Sequence, residues 1–365
     1  MFSLKDVLEL RRRFNRESCT ITRMCGCYVD SEKEKVLKIS ETFLNMDNDE
    51  FYKYLDITKS LFSKKVEDQI MSLDFDSEFG QQDMLLRVRQ SKLKDEKILD
   101  ELYDRIIDNY DQPGHYLILI FHDAYDVLTA TKDNNKLDES EEVYEYLMCA
   151  ICPLHLSAPG LGYRADEHRI APRIRDWVVD KTDCGFIWPS FEQRTEERDK
   201  VMFYSKKPAE PQESLAAFGL GCIPKFTATQ ERNKFYQCFE GFLDDDKKED
   251  EWMLEVCERM YAMQVEDEKS EDTLQQDVLQ DICIKSGIPE GISTRIKDTY
   301  KEKFQIGMPK ISHLLSGTII ANIQEKNRKE HLREILHKAV ITIETEVGAE
   351  TDLTAELKTA IGQHK

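Results

Sequence analysis

Five consecutive large apolar residues, Leu117-Ile-Leu-Ile-Phe121, stand in a chain that is otherwise polar and heavily charged. Pro113-Gly114 precedes them, and His122, Asp123 and Asp126 follow. A short, unbroken apolar run rich in isoleucine and bounded by turn formers predicts a strand buried on both faces. It is too short for a solvent-exposed amphipathic helix and far too short to cross a membrane. A strand of that kind needs cover on each side, and the sequence supplies it as helices. Residues 47–73 carry Phe51, Leu55, Leu61, Val66 and Ile70, and residues 84–110 carry Leu85, Val88, Leu99, Leu102 and Ile106, spaced for an amphipathic face. The expected fold class is α+β: a mixed or antiparallel sheet covered by helices 47–73 and 84–110, followed by a helical C-terminal region.

The remaining elements fit this frame. Ser3-Leu-Lys-Asp6 reads as a capping box with Asp in the place of Glu, opening a helix to about Phe14. Ser18 to Val29 alternates and is β-branched, a strand by pattern. Val36 to Phe43 begins a second strand or a helix. Glu142 to Leu156, Trp177 to Val179, Gly185 to Trp188 and Val201 to Tyr204 are further strands, the last three in the manner of a meander. Thr131 to Lys136 reads as a surface loop. The Lys206-Lys-Pro-Ala-Glu-Pro211 segment marks the expected boundary of a sheet domain, residues 1–208. Residues 209–306 form a helical domain. In it Thr227 and Gln230 make a second capping box, Asp244 to Glu251 is a solvated connector, and Leu274 to Phe304 is a helical hairpin turned at Gly287. Residues 307–365 form a charged amphipathic segment whose alternating Ala339 to Thr345 predicts a strand near its end.

Charge narrows the function. Seventy-one acidic residues against 51 basic ones give a net charge of −20, which repels phosphodiester backbones and argues against a general nucleic-acid binder. Arg11-Arg12-Arg13 with Arg16 is the densest basic run, and on a helix those arginines spread over several faces. The opening residues lack a basic stretch followed by a long apolar one, and no window of 18 apolar residues occurs, so no membrane association is expected. Ten scattered cysteines then read as reduced thiols of a cytoplasmic protein.

Candidate chemistry is sparse. His122, Asp123 and Asp126 at the end of the central strand can serve acid–base catalysis or bind a cation; capping and arginine pairing are the competing structural reading. His122 and Asp123 point to opposite faces unless the strand bends after Phe121. Cys25, Cys27, Cys149 and Cys152 supply four thiolates for a tetrahedral zinc, set against buried reduced cysteines. Cys152 with His155, or Cys25 with His122, would make a nucleophilic pair only if the fold brings them together. Arg173, Arg175, Asp176 and Trp177 can stack bases or bind peptides, as can Phe186 to Phe191, although aromatics in a meander belong first to a core. No phosphate-binding glycine motif, zinc-protease helix, calcium loop or nucleophile elbow is present. Apart from zinc, no cofactor is expected.

The strings from Cys19 to Asp30, Tyr116 to Val127, Tyr144 to Leu154, Arg173 to Val178 and Gly185 to Phe191 resemble, in order, a bacterial family catalogued only as a domain of unknown function, number 4317. The resemblance covers about residues 5–225, and it implies a shared domain without implying a reaction. Two functions remain as expectations. One is a cytosolic interaction or regulatory protein that binds a protein partner or a second copy of itself. The other is a hydrolase or transferase of unknown substrate centred on His122, Asp123 and Asp126.

Overall fold

The computed structural model describes residues 3–347, apart from 16, 18, 22, 43–45, 63–68, 131–135, 243–245 and 268–272. The loop expected at 131–136, the end of the acidic stretch before Thr273 and the tail after Val347 therefore fall largely or wholly outside the described residues. The chain divides into Met1–Gln230 and Glu231–Lys365.

In the first unit the apolar run lies inside a large antiparallel sheet. Its strands are β1 (Arg23–Val29), β2 (Lys35–Thr42), β3 (Ile70–Asp74), β4 (Tyr116–Ala130), β5 (Lys136–Leu156), β8 (Trp177–Val179), β9 (Cys184–Trp188) and β12 (Lys200–Ser205). The order is β2-β1-β4-β5-β9-β12-β3, with β8 added on β5, and every pairing is antiparallel. β4 is central, and Leu117 to Phe121 are each at most 5% exposed. Alternation sends Ile118 and Ile120 to one face and Leu117, Leu119 and Phe121 to the other.

Helices cover both faces. On the first lie α3 (Gln82–Ser91) and α4 (Glu96–Asn109), which bury Leu85, Val88, Leu102 and Ile106. On the second lie α1 (Leu4–Arg13), α2 (Asn48–Thr58) and the 3-10 turn Lys59–Phe62, which bury Val7, Leu10, Leu55 and Phe62. The capping box of α1 is formed: the Ser3 backbone N–H donates to Asp6 Oδ2 at 2.7 Å and the Asp6 N–H to Ser3 Oγ at 3.3 Å. The same carboxylate accepts the backbone N–H groups of Gln193 and Arg194, at 3.2 Å each. This one side chain ties the first helix to the turn between the short strands β10 (Ser190–Glu192) and β11 (Thr195–Glu197).

Helical spacing misled in two places. The 47–73 stretch ends as strand β3 because Ile70 to Asp74 find a hydrogen-bonding neighbour in β12, and a three-residue spacing also suits two buried strand positions. The 84–110 stretch is two helices, broken where Lys92 and Leu93 take φ of 52° and 58°. The first unit also extends past the boundary expected at 208, because Leu215, Leu220 and Cys222 belong to its core and Ile223 N–H donates to Asp74 O at 2.8 Å.

The second unit is helical. After α5 (Ala228–Tyr236) come α6 (Asp246–Asp267), α7 (Gln276–Lys285), α8 (Glu290–Lys303), the short α9 (Ile311–Leu314) and α10 (Gly317–Val347). The Thr227/Gln230 capping box is present with both bonds at 3.0 Å, and Gly287 turns the α7–α8 hairpin at φ 79°. Two expectations are corrected here. Most of the acidic connector 244–251 is the first part of α6, and residues 339–345 continue α10 instead of forming a strand. A strand needs a neighbour to satisfy its backbone, whereas a helix already under way satisfies its own.

Candidate functional site

The end of β4 places the expected residues on two separate faces. His122 lies on the α3–α4 side, where its Nε2 is 2.8 Å from Glu145 Oε1 of β5. Arg89 of α3 reaches the same spot. Its Nη1 donates to the Glu145 carbonyl and to Glu196 Oε1, both at 3.0 Å, and its guanidinium lies 5.1 Å from the centre of the Trp188 ring. Arg198 Nε donates to the same Glu196 oxygen at 2.5 Å, and Trp188 Nε1 donates to Arg198 O at 3.0 Å. The result is a polar chain, His122–Glu145–Arg89–Glu196–Arg198, buried at Arg89 and His122 and opening to solvent at Arg198, that fastens α3 to the sheet.

Asp123 points the other way. Its Oδ2 accepts Thr20 Oγ1 at 2.8 Å and the Tyr146 hydroxyl at 3.1 Å, beneath the packed rings of Tyr125, Tyr144, Tyr146 and Phe191. The guanidinium carbon of Arg13 lies 3.8 Å from the centre of the Tyr125 ring. Burial pushes the Asp123 carboxyl above its ordinary pKa, and the bonds from Thr20 and Tyr146 oppose that shift. Asp126 is exposed and shares the face of His122 by alternation. No bend unites the three. A groove of about 570 Å³ between α3 and α4 is lined by Gln81, Met84, Arg87, Glu101 and neighbouring residues of α4, and by none of them.

An acid whose folded pKa is raised keeps a proton that the unfolded chain has already released. Asp123 therefore makes stability fall as pH rises from about 3.9, the ordinary value, through its folded pKa. The wild-type unfolding free energy, followed by urea titration across the acid range, is expected to carry this downward component. Asp123→Asn should lack it, and identical pH slopes for the two proteins would count against it.

The cysteines do not converge either. Cys25, Cys27 and Cys149 lie in the core facing α3 and α4, and Cys152 lies in the opposite core. Cys25 and Cys149 both stand opposite Ile120, one on each side of β4, so two strand spacings, roughly 9–10 Å, separate their backbones. Burial raises the Cys27 thiol to about 11 and the Cys152 thiol to about 12, the reverse of an activated thiolate. Cys152 lies 3.6 Å from Thr182 Oγ1, while His155 pairs with Asp180 at 3.0 Å. Cys25 donates to Leu93 O at 3.5 Å. Among the described residues no group of three or more His, Cys, Asp or Glu is arranged to hold a metal ion.

A different feature is unaccounted for by the core. β6 (Leu161–Arg164) and β7 (Arg169–Pro172) form a two-stranded ribbon outside the main sheet. Leu161 pairs with Pro172 and Tyr163 with Ile170, so these four share one side, while Gly162 and Ala171 share the other. Ala171 is buried and the four are not: Leu161 is 75% exposed, and Tyr163 and Ile170 are each 62% exposed. Ile174, Trp177 and Val178 are also exposed, and Trp177 lies 3.9 Å from the His115 ring, centre to centre. Of nineteen exposed large hydrophobics among the described residues, six fall within these eighteen positions. Arg164 and Arg169 are both held by Glu167 at the ribbon tip. The alternation Leu161-Gly-Tyr163 and Ile170-Ala-Pro172 is legible in the sequence as strand periodicity; its outward orientation is not.

A family model described as a domain of unknown function (DUF4317) matches residues 2–351, well past the part of the chain that carries the sequence resemblance. No curated protein matches the chain.

Proposed function

The chain belongs to this family of unassigned activity, and we propose that it is an interaction or regulatory protein of the cytosol that binds a protein partner through the β6–β7 ribbon. The outward apolar side of that ribbon carries the reading. Leu161, Tyr163, Ile170 and Pro172 lie in water on a paired, and therefore ordered, backbone, so a partner covering them gains apolar burial without first ordering a loop. Tyr163 and Trp177 are of the residue types that dominate binding hot spots. A cytosolic setting is supported by ten free cysteines, nine of them buried. Among the described residues no helix is long and apolar enough to cross a membrane.

The hydrolase or transferase alternative has no comparable support. Its His122 and Asp123 are on opposite faces, and both are engaged in structural hydrogen bonds.

The test is affinity capture from lysate of the source cells on immobilised wild-type protein and on Tyr163→Ser/Ile170→Asp. The wild type is expected to retain a defined protein that the double variant loses at least tenfold, with the melting temperature of the variant unchanged. Identical capture profiles for the two would reject the ribbon as the docking surface.

A further inference from the structure

We infer that the root of the β6–β7 ribbon is a pH-sensitive latch, fastened when His115 and His155 are protonated. The chain leaves the main sheet after Leu156 and returns at Trp177, and the ribbon lies between these points. Three residue pairs hold the returning strand β8 to β5: Leu154 with Val179, His155 with Val178 and Leu156 with Trp177. Backbone bonds from Ser157 N–H to Asp176 O and from Asp180 N–H to Pro153 O, both at 2.8 Å, close the same junction. Burial adds little, because Trp177 and Val178 are 45% and 42% exposed. A short, half-wet pairing of this kind opens locally without unfolding the rest of the chain, so its side-chain contacts decide how firmly it is shut.

Two of those contacts use a histidine. The Trp177 and His115 rings lie 3.9 Å apart, inclined at 37°, and His115 Nδ1 is 2.8 Å from the hydroxyl of Tyr28 on β1. One residue past β8, Asp180 Oδ2 is 3.0 Å from His155 Nδ1. Both contacts favour the charged ring. An imidazolium over an indole gains a cation–π attraction that the neutral ring lacks. Opposite a carboxylate, protonation turns a hydrogen bond into a charge-assisted ion pair. The Tyr28 bond survives in either state, since the hydroxyl donates to a neutral Nδ1 and accepts from a protonated one.

Arg175, Asp176 and Lys181 are the other charged residues along this junction, and Arg175 Nε donates to Ser157 O at 2.7 Å. Arginine, lysine and aspartate ordinarily hold their charge between pH 5 and 8, the range in which histidine changes its own. The latch is therefore closed on the acid side and loosens as the pH rises. It regulates the partner surface proposed above and rests on that reading for its purpose, whereas its closure is a property of the free chain.

Hydrogen exchange of the full chain, without any partner, tests this. After correction for the chemical exchange rate, the Ser157 and Asp180 amides are expected to be at least about threefold better protected at pH 5.5 than at pH 8, beyond any change in the β4 amides, as two exposed contacts of this kind would give. His115→Gln/His155→Gln should abolish that difference. Each single variant should keep part of it, which serves if the double variant fails to fold. Equal protection at the two pH values, the reverse order, or a difference that persists undiminished in the variants would overturn the latch. The docking reading fails by another result, capture indifferent to Tyr163→Ser/Ile170→Asp, so the two are separable.

Discussion

Arg89→Met is expected to destabilise the first unit by about 3 kcal/mol, the lower end of the cost of breaking a buried ion pair by removing one partner. The lower end applies because the Glu145 and Glu196 side chains keep 32% and 19% exposure and retain some water. Methionine keeps most of the arginine stem's packing on Trp188, so the loss reports charge and hydrogen bonding more than volume. What remains is two carboxylates without their central cation and a Glu145 carbonyl without its donor. Arg89→Met/Glu196→Gln should recover less than half of the loss, since Glu196 keeps its bond from Arg198 when Arg89 is gone. Urea unfolding followed by tryptophan fluorescence reads both variants. A single-variant loss below about 1 kcal/mol, the level of an exposed pair, would mean that the network does not anchor α3.

The second large effect concerns the central strand. Phe121→Ala should cost about 3–5 kcal/mol, the usual range for removing a buried aromatic ring. Phe121 is fully buried, and its ring meets Phe14 edge-on at 6.1 Å, so the cavity would open between β4 and α1. Domains of this kind are stable by about 5–15 kcal/mol, so the variant should fall near the threshold of folding at physiological temperature. Asp126→Ala, five residues along the same strand and exposed, should change stability by no more than about 0.5 kcal/mol. Comparable losses at the two positions would contradict the burial of β4 from both sides.

The limits of the sequence are clearest along β4 itself. The apolar run announced a doubly covered strand because burial on two faces removes the polar alternation that any half-exposed strand must keep. Capping boxes at Ser3 and Thr227 and the turn at Gly287 were readable for a similar reason, since each is a bond or dihedral demand met within four residues. The fate of residues 70–74 was not readable. Apolar residues three apart suit a helix or a strand, and only the presence of β12 alongside decides between them. Residues 339–345 show the reverse case, a strand-like pattern that continues as a helix.

The site follows the same division. Alternation made it foreseeable that His122 and Asp123 would part, and the regular strand keeps them apart. Arg89, Glu145 and Glu196 come from three elements separated by more than fifty residues at each step, and no local pattern links them. The ribbon is intermediate: its strand periodicity is written in residues 161–172, but which side meets water depends on where the rest of the fold leaves room.

The sequence by itself therefore determined the elements whose hydrogen bonds and burial are met locally: the central strand, the helix caps, and an acidic chain with no recognisable catalytic motif. Tertiary structure alone decided which long-range neighbours each strand acquired, which face each polar residue entered, and which apolar positions were left uncovered. The physical reason is that pairing and burial depend on what lies across a gap in space, and sequence distance carries little information about that gap.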